Sequence, residues 1–185
     1  RLTNAQPILI ECVHGQIAVC HNGNLVNEEV LRHDLVSRGS IFQTSSDTEV
    51  FLHLYARSKA STVDDAIVES VSQAQGAFSL AFLTKDRLVV ARDPHGFRPL
   101  ALGRLEGGWV VCSETCAMDL VGATYDREIA PGEVLMIGHD GPRSVKPFPP
   151  APHSHCIFEH VYFARPDSLV FGESVNEVRT NLGRA

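Results

Sequence analysis

The stretch His21-Asn22-Gly23-Asn24-Leu25 directly follows an apolar run, Ile17 to Cys20, which predicts the end of a strand. Asn-Gly is a favoured dipeptide for a tight turn, so a turn is one interpretation. A helical pattern and not a partner strand comes next, which favours a second interpretation. An amide side chain and an unhindered backbone N–H at a strand end can donate to the same oxygen, as in an oxyanion hole. Asn22 and Gly23 are therefore candidate catalytic residues.

The stretch Ser45-Ser46-Asp47-Thr48-Glu49 begins a predicted helix. Ser46 and Glu49 have the spacing of a capping box, and the helix dipole favours an acidic residue in the first turn. Asp47 has a further interpretation, because a carboxylate held at the start of a capped helix could bind a substrate ammonium group. Together the two stretches predict a site that binds an amino acid and hydrolyses its amide.

Around these stretches, the pattern of apolar residues groups helices early in the chain and strands late in it. Helices are predicted over residues 27–38, 47–58, 63–74 and 114–121, and a last one over residues 175–185. Strands are predicted over residues 8–13, 16–21, 77–84, 87–92, 100–105, 109–112 and 134–137. This order predicts an α+β fold with antiparallel strands and not a doubly wound parallel sheet.

The composition is that of an ordinary soluble globular protein. The chain has 185 residues, of which 44% are hydrophobic and 21% charged, and a net charge of −6. The negative charge disfavours nucleic-acid binding, which needs clustered Lys and Arg. No apolar stretch approaches the roughly 18 residues of a membrane span, and we expect no signal peptide. We therefore expect neither a nucleic-acid nor a membrane partner.

The cysteines show no regular framework, which fits a reducing cytoplasm better than a disulfide scaffold; they are Cys12, Cys20, Cys112, Cys116 and Cys156. A thiolate–imidazole pair at Cys20 and His21 is rejected, because neighbours on a strand point to opposite faces. Cys20 is instead expected to be a small core residue. The spacing of Cys112 and Cys116 could hold a metal, but core packing is favoured. A metal-binding domain, with His155 and Cys156 as ligands beside Cys112 and Cys116, is kept as an alternative.

Two further stretches bear on the organisation of the chain. The string from Arg92 to Leu100 contains Asp-Pro and Gly steps typical of a tight connection, and we expect a rigid hairpin with a surface arginine. Residues 141–155 contain Pro142, Pro147, Pro149, Pro150 and Pro152. Neither strand nor helix is expected there, so this segment predicts a linker with a domain boundary near its end.

These strings together resemble the glutaminase domain of the class II glutamine amidotransferases, which are N-terminal-nucleophile hydrolases. The resemblance implies an αββα sandwich, with two antiparallel sheets between helical layers. Strings at residues 113–117, 131–133 and 162–168 are similar to one branch of that family, the amidophosphoribosyltransferases. That branch implies glutamine and phosphoribosyl pyrophosphate as substrates and 5-phosphoribosylamine, glutamate and pyrophosphate as products.

For the site, the resemblance implies that Asn22 and the Gly23 N–H form the oxyanion hole. Gly23 and Asp47 would hold the glutamine backbone, with Asp47 on its α-amino group. The nucleophile of the family is an N-terminal cysteine, and none of the cysteines here stands at its place. Because the chain begins at Arg1 and not at a Met, we expect a fragment that lacks the N-terminal strands and is inactive alone.

The resemblance also implies a division of the chain and two cofactors. Residues 1–141 would form most of the glutaminase domain, residues 142–155 the linker, and residues 156–185 the start of the phosphoribosyltransferase domain. Cys156 matches a ligand of a [4Fe–4S] cluster found in part of the family, although one thiolate alone cannot hold such a cluster. Mg²⁺ would belong to the phosphoribosyltransferase site, and a homo-oligomer is expected.

Two other functions stay open. One is another class II glutamine amidotransferase, of the asparagine synthetase or glucosamine-phosphate synthase type. The string from Asp93 to Leu100 does not discriminate against asparagine synthetases, whereas the string from Ala164 to Ser168 does. The other is a non-catalytic binding domain of the same fold, which would bind glutamine weakly through Asp47 and Gly23 without forming a thioester.

Overall fold

The structure is a computed structural model that describes residues 4–184. Its helices are α1 Glu28–Ser37, α2 Thr48–Arg57, α3 Val63–Val71, α4 Cys116–Val121 and α5 Val175–Leu182. Its strands are β1 Ile8–Cys12, β2 Gly15–Leu25, β3 Gly76–Thr84, β4 Leu88–Arg92, β5 Ala101–Leu105, β6 Gly108–Cys112, β7 Thr124–Glu128, β8 Val134–Gly138, β9 Gly141–Val145, β10 Leu169–Val170 and β11 Glu173–Ser174. A single turn of π-helix spans Glu159–Phe163.

The strands form two main antiparallel sheets. The larger sheet has the order β1-β2-β3-β4-β8-β9, and the smaller one has the order β6-β5-β7. Strands β10 and β11 form a separate two-stranded sheet. The prediction of an α+β fold built on antiparallel strands is therefore confirmed.

Apolar clusters stack these elements in the order helices, sheet, sheet, helix. The first cluster packs α2 and α3 on the larger sheet, with buried members that include Phe51, Tyr55, Ile67, Phe78, Leu80 and Phe82. The second lies between the sheets and includes Val90, Leu102, Ile129 and Leu135. The third packs α4 on the smaller sheet through Ala101, Met118 and Ala123. Burial of these side chains is the main driving force for the stacking. The predicted αββα sandwich is confirmed.

Strand β2 is longer than its apolar run predicts. Asn22, Gly23 and Leu25 pair with Ser79, Phe78 and Gly76 of β3, so the stretch from His21 to Leu25 lies inside the sheet. The interpretation of Asn-Gly as a turn is therefore wrong. The partner strand comes after three helices, so the local sequence gives no sign of it.

The connection after β4 crosses from the larger sheet to the smaller one, so the hairpin predicted there is wrong. Arg92 is fully buried and not at the surface. Its Nε donates to the carbonyl of Arg98 at 2.9 Å, and its Nη1 and Nη2 donate to the carbonyls of Ile129 at 2.6 Å and Gly96 at 3.2 Å. The guanidinium thereby satisfies the buried carbonyls of Ile129 and Gly96, and it shares the carbonyl of Arg98 with the Ser79 hydroxyl, which donates at 3.4 Å.

Asp93, also fully buried, fixes the same connection from the other side. Its carboxylate accepts the N–H groups of Phe78 at 3.2 Å, His95 at 2.9 Å and Phe97 at 3.2 Å. Burial raises the pKa of Asp93, although these backbone donors favour the charged form. The connection is rigid, as expected, because one carboxylate links the start of β3 to the crossing.

Four strands lie where the sequence predicts none, namely the short pair β10 and β11 and the edge strands β7 and β9. Residues 141–145 form β9, which pairs with β8 at the edge of the larger sheet, and this corrects the expectation that the proline-rich segment has no strand. Pro142 is tolerated there because an edge strand has one side without ladder hydrogen bonds. Strand β7 was missed because its sequence, Thr124 to Glu128, is mostly polar. It is an edge strand of the smaller sheet, with a register shift between Leu102 and Gly103 of its partner.

The segment after the proline-rich stretch packs against the connection that follows β4. The Ser154 and Cys156 N–H groups donate to the carbonyls of His95 and Phe97, at 2.9 and 3.1 Å. Arg98 Nη1 lies 2.7 Å from Glu159 Oε1. The domain boundary near residue 155 stays a prediction.

Within residues 4–184, no helix is long and apolar enough to cross a membrane.

Candidate active site

The free edge of β2 presents alternate backbone N–H groups. Strand β1 covers β2 only as far as Val19, which pairs with Ile8. Beyond it, the His21 N–H donates to Gln6 Oε1 at 2.5 Å, and the Leu25 N–H donates to Asp47 Oδ2 at 3.0 Å. In an extended strand alternate N–H groups point to the same side, so the Gly23 N–H lies on this edge between the other two. It is placed to donate to a ligand.

Gly23 is required at its position by close packing. A Cβ there would lie 2.0 Å from the carbonyl oxygen of Ala77 and 2.8 Å from His21 Nε2. Its φ is +155°, which L side chains rarely adopt. The backbone of Gly23 can therefore approach a ligand in a way that no other residue would permit.

The Asn22 side chain lies on the face of β2 that is turned toward the smaller sheet, opposite to the side chain of His21. The Asn22 side chain is exposed, and its Nδ2 donates to Ser113 Oγ, just after β6, over 3.4 Å. An asparagine amide has two N–H donors, so one stays available for a ligand oxygen. The Asn22 amide and the Gly23 N–H lie on consecutive residues of β2, and their convergence on one oxygen stays a prediction.

Asp47 stands at the start of α2 but makes no capping hydrogen bond with its side chain. Its Oδ2 accepts the Leu25 N–H, and its Oδ1 lies 3.4 Å from His21 Nδ1. Partial burial opposes ionisation of Asp47, but the hydrogen bonds from His21 and Leu25 outweigh it, so its pKa lies below the usual value. The ionised form of Asp47 is therefore favoured. Because Asp47 is bound to Leu25, two residues along the edge from Gly23, its carboxylate could bind an ammonium group there.

The capping box predicted at Ser46 and Glu49 is only half formed. Ser46 Oγ accepts the Thr48 N–H at 3.3 Å, but the Ser46 N–H donates to Thr44 Oγ1 and not to Glu49. Glu49 reaches back past Ser46 and accepts the Gln43 N–H at 2.8 Å, the Thr44 N–H at 2.7 Å and the Thr44 hydroxyl at 2.7 Å. Glu49 is buried, which opposes ionisation, but these donors lower its pKa. Arg32 Nη2 donates to the carbonyl of Ser46 at 2.9 Å. Together they fix the loop that leads into Asp47, a role that the sequence motif alone does not show.

His21 was missed as a site residue. Only 1% of its side chain is exposed, and its ring packs edge-on against Phe51 at 5.8 Å between centroids. Its Nδ1 faces both Asp47 Oδ1 and Thr48 Oγ1, each at 3.4 Å. The alternation Ile17, Val19, His21 toward the helices was the available signal, since it places an imidazole where an apolar residue is expected.

No cysteine among residues 4–184 forms a hydrogen bond with Asn22, Gly23 or Asp47. Cys20 is exposed, so the expectation of a small core residue is wrong. It follows Val19 on β2 and so points away from the helices, beyond the reach of the smaller sheet's core. Partial burial raises the pKa of its thiol, which disfavours a thiolate nucleophile. No described cysteine is thus bound to Asn22, Gly23 or Asp47 as an attacking group would be expected to be.

The structure gives no support to the metal-binding alternative. Among residues 4–184, no three His, Cys, Asp or Glu side chains are close enough to hold a metal ion. Cys112 and Cys116 pack around α4, as the core hypothesis predicts. Near Cys156, the contact found is Arg98 Nη1 at 3.9 Å from Sγ. Tetrahedral zinc and iron–sulfur sites both need more ligands than this.

Comparison with known proteins assigns the family. A model of the glutamine amidotransferase domain matches residues 2–119. The chain belongs to this family. Amidophosphoribosyltransferase 2, chloroplastic, of Arabidopsis thaliana is 53% identical over 183 residues, which cover 98% of this chain and 33% of the relative. The amidophosphoribosyltransferase of Bacillus subtilis is 47% identical over 182 residues, covering 98% of this chain and 38% of the relative.

Solved structures agree with this assignment to the glutamine amidotransferases. The glutamine phosphoribosylpyrophosphate amidotransferase of B. subtilis, complexed with ADP and GMP, matches with a TM-score of 0.95 at 47% identity, over 98% of this chain and 40% of that one. A glutamine aminotransferase class-II domain protein from Silicibacter pomeroyi, at 20% identity and a TM-score of 0.52, shares the fold alone. The chain spans about a third of the length of the curated relatives named above.

Proposed function

We propose that this chain is the glutamine-hydrolysing part of an amidophosphoribosyltransferase. The observation that carries the proposal is the edge of β2. There the Gly23 N–H lies between the backbone N–H groups of His21 and Leu25, which already donate to Gln6 and Asp47. The relatives at 53% and 47% identity bear the name of that enzyme and match almost the whole chain. Neither observation favours an asparagine synthetase, a glucosamine-phosphate synthase or a non-catalytic domain.

Asp47 would bind the α-ammonium group of glutamine, because it is a carboxylate of lowered pKa that faces the open edge. The side-chain carbonyl oxygen of glutamine would then lie between the Gly23 N–H and Asn22 Nδ2. These donors act most strongly once the oxygen carries a full negative charge, so they would stabilise the tetrahedral intermediate more than the substrate.

The reaction itself needs a thiolate from outside the described residues. Its sulfur would attack the side-chain carbon of glutamine, and the carbonyl electron pair would move to the oxygen held by Asn22 and Gly23. Collapse of this intermediate would expel the nitrogen, which takes up a proton and leaves as ammonia. Water would then cleave the thioester to glutamate and restore the thiol. At the second site, ammonia would displace pyrophosphate from phosphoribosyl pyrophosphate.

We further propose a second domain, cofactors and partners for the full-length enzyme. Residues 156–185 would begin the phosphoribosyltransferase domain, where Mg²⁺ would neutralise the diphosphate. Cys156 would be one ligand of a [4Fe–4S] cluster, and its half-buried thiol beside Arg98 is compatible with that role but does not complete a ligand set. We also propose a homo-oligomer. A reducing compartment, the cytoplasm in the simplest case, is consistent with five unpaired cysteines.

The full-length protein, purified under reducing conditions, provides the test. Glutamate release from glutamine and pyrophosphate release from phosphoribosyl pyrophosphate are measured, the latter with glutamine and separately with ammonium chloride. We expect all three activities, and N-terminal sequencing should find a cysteine as the first residue of the mature protein. Ammonia transfer to aspartate or to a sugar phosphate would reassign the enzyme, and binding of glutamine without glutamate release would leave a non-catalytic domain.

A further inference from the structure

A short loop joins β6 to α4, and its first residue contacts the candidate oxyanion hole. Asn22 Nδ2 donates to Ser113 Oγ over 3.4 Å. This contact uses one of the two N–H donors of the Asn22 amide and so orients the plane that carries the other one. Because β2 and β6 belong to different sheets, the orientation of Asn22 depends on where this loop is held.

Glu114, the next residue, fixes the loop to a segment far along the chain. Its Oε2 accepts the Arg165 N–H at 2.7 Å and the Ser168 hydroxyl at 3.0 Å. Hydrogen bonds to an ionised carboxylate are about twice as strong as neutral ones. The Cys116 thiol, at 3.9 Å from the same oxygen, adds a weaker contact.

Thr115 adds a parallel attachment. The Leu169 N–H donates to Thr115 Oγ1 at 2.8 Å, and the Thr115 side chain is largely buried. The segment that receives these bonds has a small core of its own, formed by Ala164, Val170 and Val175. The loop of residues 113–115 is therefore held by a fixed structure on the side opposite Asn22.

We propose that Glu114 is a positioning residue for amide hydrolysis and acts through Ser113 on the Asn22 amide. This inference rests on the proposed function, because it needs an oxyanion at Asn22. Glu114 touches no reacting atom in this scheme. Glu114 sets the direction of the Asn22 N–H donor, which contributes most in the transition state. Loss of the Glu114 side chain therefore lowers kcat for glutamine and leaves KM almost unchanged.

The first variants test the Ser113 contact in the full-length enzyme. Removal of an oxyanion donor costs on the order of 100-fold to 1,000-fold in kcat, and misdirection of one should cost part of that, about tenfold. We expect Ser113→Ala to lower glutamine-dependent kcat about tenfold, and Ser113→Thr, which keeps a hydroxyl, to retain most of it. Ammonia-dependent turnover should be equal to that of the wild type in both variants.

The second set tests whether Glu114 acts along the same path. We expect Glu114→Ala to lower glutamine-dependent kcat about tenfold, and Glu114→Gln, which keeps an acceptor, to recover most of it. The double variant with Ser113→Ala should be no worse than the stronger single variant, because the two residues share one path. Asp119→Asn, which removes an exposed carboxylate from α4, is the matched control and should be silent.

Three results would overturn the positioning role. They are unchanged kcat in Glu114→Ala, multiplied losses in the double variant, and a parallel fall of glutamine-dependent and ammonia-dependent turnover with the melting temperature. The wild-type reaction measured beside the variants separates this inference from the proposed function. A wild-type enzyme that releases no glutamate removes both, whereas an active wild type with unaffected variants removes only the role of Glu114.

Discussion

The His21 imidazole places Nδ1 3.4 Å from Asp47 Oδ1, with 1% of the His21 side chain exposed. The same ring lies directly below Gly23, since a Cβ on that glycine would meet His21 Nε2 at 2.8 Å. One buried side chain therefore supports both the carboxylate proposed for the α-ammonium group and the backbone donor proposed for the oxyanion. The distance between these two subsites is fixed by packing and does not depend on a mobile loop.

Asp47→Asn in the full-length enzyme should raise the KM for glutamine by about tenfold to 100-fold, the range expected for loss of a hydrogen bond to a charged group. The unfolding free energy should change little, because the asparagine oxygen can still accept the Leu25 N–H. Steady-state kinetics and urea denaturation measure the two effects. Asp140→Asn, at an exposed turn, is the control. A less stable variant with unchanged KM would leave Asp47 a structural residue.

Titration of Asp47 should not affect the KM for glutamine between pH 5.5 and 8. The lower end of this window lies on the order of two pH units above an ordinary aspartate pKa. The pKa of Asp47 is lowered from 3.8, so the carboxylate stays charged throughout this window and is neutralised only at more acidic pH. A KM profile measured in wild type and Asp47→Asn checks this. A wild-type KM that rises toward pH 5.5, in step with protonation of one group absent from the variant, would contradict it.

Asn22→Ala should lower glutamine-dependent turnover on the order of 100-fold or more, as loss of one oxyanion donor does. Turnover with ammonium chloride should survive, because ammonia bypasses amide hydrolysis. The ratio of the two rates is the measurement. If both rates fall equally, Asn22 serves the fold and not the oxyanion.

Gly23→Ala should abolish glutamine-dependent turnover and destabilise the protein by about 2 to 3 kcal/mol or more, since a Cβ cannot fit against the Ala77 carbonyl without moving β2 or β3. Thermal unfolding and the glutaminase assay report on the two effects. Gly108→Ala is the matched control, because a Cβ on Gly108 meets no atom within 4 Å. Equal behaviour of the two variants would show that Gly23 has no steric constraint.

Arg92→Met should destabilise the protein by about 3 kcal/mol or more, because it leaves the carbonyls of Ile129 and Gly96 buried without a donor and removes one of two donors to the carbonyl of Arg98. Arg104→Met removes an arginine whose side chain is 63% exposed, and its ion pair with Asp126 is worth at most about 1 kcal/mol. Denaturant unfolding of both variants gives the comparison. A smaller loss at Arg92 than at Arg104 would contradict the role assigned to the buried guanidinium.

Local patterns were sufficient for most elements of the fold. Helix α2 carries Phe51, Leu52 and Tyr55 on one stripe, and β3 alternates Phe78, Leu80 and Phe82, so periodicity alone predicts both. The layer order and the family followed from resemblance of short strings and not from periodicity. Strands β7 and β9 escaped prediction because edge strands need little apolar surface and tolerate polar residues or proline.

The candidate site was predicted less completely, for physical reasons. Asn22, Gly23 and Asp47 were named from the sequence. The structure places Asp47 beside the edge of β2 that carries the Gly23 N–H, and the Asn22 side chain on the face of β2 toward the smaller sheet. The turn at Asn22-Gly23 was wrong, because its partner strand lies far along the chain. Only the Ser46 half of the capping box formed, because Glu49 accepts the N–H groups of Gln43 and Thr44 instead. Local propensity depends on residues adjacent in the chain. The conformations of Asn22-Gly23 and of Glu49 depend instead on contacts with β3 and with residues 43–44.

The Asp93 carboxylate, which accepts the backbone N–H groups of Phe78, His95 and Phe97, has a kinetic consequence. None of these three amides can exchange with deuterium until the same side chain releases them. Their exchange should therefore report one shared opening free energy, although they lie in a strand and in the crossing between sheets. The passage from the first sheet to the second would then open as one cooperative unit, and the alignment of Asn22 with Ser113 across it would be lost in a single step.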